Sequence, residues 1–241
     1  MKKTAITIAI TAVCFGLAGC AEVPLEGPAS DPIEGFNREV YTFNDTIDQA
    51  VLGPIARGYV DVTPNAVRRG VNNFFDNLGY LDTALNDFLQ GKVTQGFADT
   101  GRFLINSTIG VVGIFDVATP MGLEMHDEDL GQTLAVWGAN EGAYLMLPGF
   151  GPSTVRDVPG YVTKYATDPS TYAEGTITWP LTVLSVINTR ANLESSLKLV
   201  RETALDPYLS IRNGYRQGRI NLIYDGNPPE IDIMDECDED E

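Results

Sequence analysis

Apolar residues recur along most of this chain at the three- and four-residue spacings of a helix. Ile33, Phe36, Val40, Phe43, Ile47 and Val51 make one stripe about five turns long. Just before it, Asp31-Pro32-Ile33-Glu34 predicts a helix start, with Asp at the N-cap, Pro at the first helical position and Glu closing a capping box. Thr63-Pro64 repeats the cap-and-proline pair ahead of Val67, Val71, Phe74, Phe75 and Leu78. Leu81, Leu85, Phe88 and Leu89 predict a further helix that stops near Gly91, and Val93, Phe97, Leu104 and Ile105 predict the next. Trp179 to Leu205 reads as one or two helices, and Asp206-Pro207 opens a last one through Tyr208, Ile211 and Tyr215.

Two stretches break the period. Ile109-Gly110-Val111-Val112-Gly113-Ile114-Phe115 is apolar with glycines three apart, and Ala143 to Pro148 is a short extended segment between Gly142 and Gly149-Phe150-Gly151. The fold class is therefore all-α with a short hairpin. Neither break reaches the roughly 18 residues a spanning helix requires. No internal repeat is visible.

The N-terminus reads differently. Lys2 and Lys3 precede an apolar run from Ala5 to Leu17, too short to span a bilayer and followed at once by small residues, as in a secretory signal. Its end, Leu17-Ala18-Gly19-Cys20, resembles the bacterial lipobox, which implies cleavage before Cys20 and acylation of that cysteine with diacylglycerol and a further acyl chain. Ala21 at the next position implies export to the periplasmic face of the outer membrane. Multiple acyl chains make such attachment effectively permanent, at about 0.8 kcal/mol per buried CH₂. The expected domains are a signal at 1–19, a lipidated cysteine and tether at 20–30, a helical body at 31–224, and an acidic, disordered tail at 225–241.

Charge narrows the partners. The chain carries 16 basic and 33 acidic residues, and loss of a signal with two lysines and no acid moves the formal charge from −17 to −19. This balance argues against nucleic acid and against a polybasic grip on anionic lipid. Membrane contact should be acyl or apolar. Of the three cysteines, Cys14 leaves with the signal, Cys20 takes lipid and Cys237 sits alone in the tail, so no internal disulfide is available. His126 is the only histidine, which rules out a Cys₂His₂ zinc site.

Four ordered blocks carry a family resemblance. They are Asp31-Pro32-Ile33-Glu34-Gly35-Phe36-Asn37-Arg38 with Phe43-Asn44; Asn73 to Leu78 through Asn86-Asp87-Phe88-Leu89-Gln90-Gly91-Lys92; Gly101-Arg102-Phe103-Leu104-Ile105-Asn106 to Phe115-Asp116-Val117-Ala118; and Asp129-Leu130-Gly131-Gln132 with Leu147-Pro148-Gly149-Phe150-Gly151 to Asp157. Together they resemble the MlaA (VacJ) family of outer-membrane lipoproteins over roughly residues 31 to 216. The resemblance implies a ring-like helical body in the inner leaflet of the outer membrane, holding an amphipathic channel and bound to trimeric porins. It implies removal of phospholipid from the outer leaflet and delivery to a soluble periplasmic carrier, so that lipid asymmetry is maintained without a cofactor or catalysis. Two departures stand out. Tyr80-Leu81 occupies a place where the family often has Glu-Pro, and Gly142-Ala143-Tyr144 lacks the proline of the family's gating hairpin.

Site expectations follow. By pattern alone Ile109 to Phe115 is a buried core turn; with the resemblance, Ile109, Val111, Val112, Ile114 and Phe115 become membrane or lipid contacts. Tyr144, Leu145, Met146 and Leu147 are expected to hinge at a lipid channel. Asn44 either lines a polar path or is a solvated helix polar, and the sequence leaves both open. Arg38, Arg57, Arg68 and Arg69 offer guanidinium forks for phosphate, although surface ion pairs are the simpler reading of each. His126, in Glu124-Met125-His126-Asp127-Glu128-Asp129, reads as a solvated loop before a helix rather than a metal or acid-base site. The rival functions are a structural porin-associated lipoprotein and a lipid hydrolase. Against the hydrolase, there is no Gly-x-Ser-x-Gly elbow, and any histidine-dependent triad would have to use His126. No phosphate-cradling Gly-x-x-x-x-Gly-Lys-Ser/Thr is present to couple ATP hydrolysis.

Overall fold

A computed structural model describes residues 31–229. The signal, Cys20 and its tether, and the tail from 230 onward lie outside the described residues. Within them the chain is helical apart from one hairpin. Helix α1 (Glu34–Ile47) runs into a π-helical turn (Asp48–Leu52) and then α2 (Gly53–Val62). The wider turn falls where Arg190 and Arg201 both grip Asp48, Arg201 at 2.8 Å.

Helix α3 (Asn65–Gln90) is continuous, where the apolar pattern predicted two helices. Tyr80-Leu81 explains the difference, because without a proline no backbone N–H is lost and the ladder runs through. The helix stops at Gly91, whose φ of +81° allows a left-handed cap in which Lys92 N–H donates to the Asp87 carbonyl at 2.9 Å. Helix α4 (Val93–Thr108) then folds back against α3. A one-turn 3₁₀ helix (Thr119–Met121) and short α5 (Leu130–Val136) follow; Asp129 caps α5 by accepting from Gln132 N–H at 2.9 Å. Strands β1 (Tyr144–Leu147) and β2 (Gly151–Thr154) pair antiparallel with Tyr144 opposite Thr154. Helix α6 (Val158–Thr167), a 3₁₀ turn (Pro169–Tyr172), α7 (Gly175–Asn192), α8 (Glu194–Thr203) and α9 (Pro207–Ile223) complete the body.

The cap expected at Asp31 is absent. The helix opens after Ile33 without a side-chain cap, and Thr63 supplies none for α3. Asp31 is buried instead, accepting from Asn37 Nδ2 at 2.8 Å and from the Tyr208 hydroxyl, so it fastens the start of α1 to α9. Asp206, by contrast, caps α9 as predicted, through Leu209 N–H at 3.2 Å. Asp225, read as the head of a disordered tail, is paired with Lys92 at 2.6 Å.

The distribution of polarity is inverted. Along α1 and the π-helical turn the stripe predicted from the sequence exists, but Phe36, Phe43, Ile47 and Val51 face outward while Asn37 is wholly enclosed. Buried apolar side chains are few and several are alanine; the main cluster is Val40, Tyr144, Met146 and Tyr208. Asp, Asn, Arg and Thr fill much of the remaining interior, including Asn77, Asp87, Asp99, Arg102 and Thr133. A water-soluble domain places these classes the other way round.

Candidate functional site

Two features form the site: an apolar outer surface and a charged cavity inside it. The surface centres on the turn after α4. Ile109, Val111, Val112, Ile114 and Phe115 are all exposed, between 42 and 65 %. Polar groups lock the base of this turn. Asn106 Oδ1 accepts from Val117 N–H (2.8 Å) and Ala118 N–H (3.0 Å), and Arg102 reaches Asp116 at 3.2 Å and the Leu123 carbonyl. Asn73 Nδ2 donates to the Ile114 carbonyl at 3.1 Å. At the tip, Val111 and Val112 take φ of 55° and 58°, a left-handed geometry that a β-branched side chain disfavours. Gly113 has φ of +87°, and a Cβ there would lie 2.5 Å from that of Asn77, so only glycine lets the turn seat on α3.

The hairpin is placed otherwise than expected. Tyr144 and Met146 lie in the core cluster rather than at a channel or membrane surface, and Leu145 and Leu147 are half-buried. Its position is set by two asparagines two turns apart on α1. Asn37 donates to the Tyr144 carbonyl at 2.9 Å and accepts from Met146 N–H at 2.9 Å. Asn44 donates to the Leu147 carbonyl and accepts from Gly149 N–H, both at 2.9 Å. The Asn44 amide is thus engaged with the hairpin, through both its oxygen and its nitrogen. Asn37 was legible only as part of a family block.

The cavity, of about 450 Å³, lies between α3, the 125–129 loop, α6 and α9. Its walls hold Phe75, Asp76, Tyr80, Asp82, Met125, His126, Asp127, Tyr161 and Lys164, with the Arg219 cluster beyond. Arg219 bonds Asp129 at 2.6 and 2.9 Å and Asp157 at 3.1 Å, and Tyr215 donates to Asp157 at 2.7 Å. The bidentate fork holds Asp129 below the usual carboxylate range despite burial. Gly131 is required here, since a Cβ would stand 2.3 Å from Asp157 Oδ1. On α3, burial pushes the Asp82 carboxyl up to about 6, although Thr167 donates to it at 3.1 Å. Deeper still, burial and the neighbouring Asp99 push Asp87 well up, so that this pair favours holding a proton.

His126 corrects another expectation. Its Nδ1 lies 2.9 Å from Oδ2 of the wholly buried Asp99, so the residue pins the loop to α4 rather than sitting in solvent. Lys92 adds a second pin through Glu128 at 2.7 Å. Three of the four arginines considered for phosphate are engaged within the protein, Arg38 with Glu34 (2.7 Å) and Asp206 (2.8 Å), Arg57 with Glu194 (3.3 Å) and Arg68 with Asn65 (2.5 Å), while Arg69 is exposed. Among the described residues no group of His, Cys, Asp and Glu is placed to hold a metal, and no helix is long and apolar enough to cross a membrane.

The family described as "MlaA lipoprotein" matches residues 29–221. The chain is 36 % identical over 210 residues to the "Intermembrane phospholipid transport system lipoprotein MlaA" of Escherichia coli K12, covering 83 % of this chain and 82 % of that one. An uncharacterised protein of Rickettsia bellii is 38 % identical over 204 residues, covering 83 % and 77 %. A solved structure described as the "structural basis for maintenance of bacterial outer membrane lipid asymmetry" superposes with a TM-score of 0.71 at 33 % identity, over 82 % of this chain and all of that one.

Proposed function

This chain belongs to the MlaA lipoprotein family, and from that membership we propose that it removes phospholipids from the outer leaflet of the outer membrane and hands them to a periplasmic carrier, maintaining lipid asymmetry. The observation that carries the reading is the inverted polarity: apolar side chains outside, ionised and amide side chains within. Carrying a phospholipid bare through water exposes about 30 CH₂ groups, on the order of 20 kcal/mol. A body with an apolar exterior stays among acyl chains, while a wet, charged interior accepts the headgroup. The exposed turn at Ile109–Phe115 supplies the lipid-facing contact. Acylation at Cys20 and seating beside a trimeric porin complete the proposal, the first holding a helical body in one leaflet without a spanning segment. The reading assigns no chemistry to any side chain, in keeping with relatives named for transport.

Deletion of the gene, followed by measurement of outer-leaflet phospholipid, tests it. Surface phospholipid should rise in the deletion strain and fall on complementation. Unchanged exposure in a strain whose wild-type parent makes the protein would leave only the bracing role at a porin. Cys20→Ala should release the protein from membrane fractions.

A further inference from the structure

The cavity described above holds more charge than its own ion pairs use. Asp129 and Asp157 are taken by Arg219, and Glu128 by Lys92. Asp76, Asp127 and Lys164 line the same space and have no ion-pair partner within the described residues. All three are exposed to it. They share one electrostatic field: desolvation pushes the Asp76 carboxyl up, Asp127 adds to the rise and Lys164 opposes it.

A second observation concerns donors. Tyr80 lines the cavity and is 4 % exposed, its hydroxyl has no hydrogen-bond partner, and the Arg102 guanidinium lies 5.0 Å from the centre of its ring. Arg219 Nε is likewise buried without an acceptor. Buried donors left over in the wall of a cavity that also holds an unpaired ammonium call for a ligand rich in acceptor oxygens. Unpaired carboxylates in the same space call for a cation. A phosphate ester joined to an ammonium group satisfies both. Phe75, Met125 and Tyr161 give apolar wall for the glycerol end of such a ligand.

We propose that this cavity is a headgroup site selective for zwitterionic phospholipid, with phosphate on Lys164 and ammonium on Asp76 and Asp127, and that it disfavours anionic headgroups. The selectivity rests on the transport reading above and refines it by naming the lipid class. An anionic headgroup satisfies Lys164 but leaves both carboxylates facing a neutral or negative group, and repulsion of the wrong ligand separates affinities as effectively as attraction of the right one.

The test uses the acylated full chain, purified in detergent and equilibrated with mixed micelles holding equal amounts of dioleoyl phosphatidylethanolamine and dioleoyl phosphatidylglycerol. Lipid retained after removal of micelles is quantified by mass spectrometry. The expected result is roughly fivefold enrichment of phosphatidylethanolamine, the discrimination available from about 1 kcal/mol of exposed ion pairing. Asp76→Asn with Asp127→Asn should abolish the enrichment while total lipid stays similar, and Lys164→Gln should lower retention of both lipids. These positions are exposed, and an unchanged melting temperature verifies the fold of each variant. Equal retention of the two lipids by the wild type, or enrichment that survives the double variant, overturns the headgroup site and leaves transport standing. Retention of neither lipid by the wild type overturns both.

Discussion

The turn at Ile109–Phe115 and the arginine face of α9 treat burial in opposite ways. The first holds five apolar side chains out in the open on a backbone bent against its preference. The second takes Arg212, Arg216 and Arg219 out of water and gives each a carboxylate: Asp31 at 3.6 Å, Glu141 at 2.8 Å and Asp129 at 2.6 Å. Either choice alone would count against a protein dissolved in water. Together they suit the setting proposed above, with acyl chains outside the body and water inside it. The lesson is that the usual test of a core, apolar in and polar out, has to be applied relative to the surrounding medium.

The sharpest way to break the comparison is on the charged side. Arg219→Leu leaves half-buried Asp129 without its cation and buried Asp157 with Arg156 alone, at 3.3 Å, and the loss should be about 3 kcal/mol, read as a fall in melting temperature or a failure to fold. A smaller effect of opposite sign is expected at Asp82. Its folded carboxyl is held near 6 against an ordinary 3.8, so the folded state binds more protons between those values and stability falls as pH rises through about 6. Asp82→Asn should therefore stabilise by about 2 kcal/mol at pH 7.5 and be neutral below about pH 3.5, as denaturant titration at the two pH values will show. If the gain is the same at both, burial of charge at this position is not what the residue costs.

On the apolar side the effects should be smaller. Val111→Gly relieves a left-handed β-branched residue and should raise stability by about 1 kcal/mol while lowering lipid transfer, because the exposed isopropyl group goes with the strain. A gain in stability with transfer undiminished would make the turn a connector only.

Much of the helical frame was legible. Asp206-Pro207 and Gly91 carry their structural meaning in their own chemistry, and the hairpin announced itself as a short apolar segment between glycines. The continuity of α3 was there to be read, since Val67, Val71, Phe74, Leu78, Leu81, Leu85 and Phe88 keep the three- and four-residue spacing past Tyr80 and no proline interrupts them. Period also reports which residues share a face without saying what that face meets, so the outward direction of the α1 stripe could not be read from Phe36, Phe43 and Ile47 alone. Asn37, Asn44 and His126 escaped for a different reason. Their partners Tyr144, Leu147 and Asp99 are 107, 103 and 27 residues away, and a polar residue's role is set by the distant group it meets. The cavity is dispersed in the same manner, over α3, the 125–129 loop, α6 and α9.

The paired asparagines on α1 have one more effect. A short strand with an open edge offers its N–H and C=O groups to any extended peptide. By filling the Tyr144, Met146 and Leu147 edge with side-chain amides, Asn37 and Asn44 occupy the seat a foreign strand would take. A helix here guards a sheet against association with other chains.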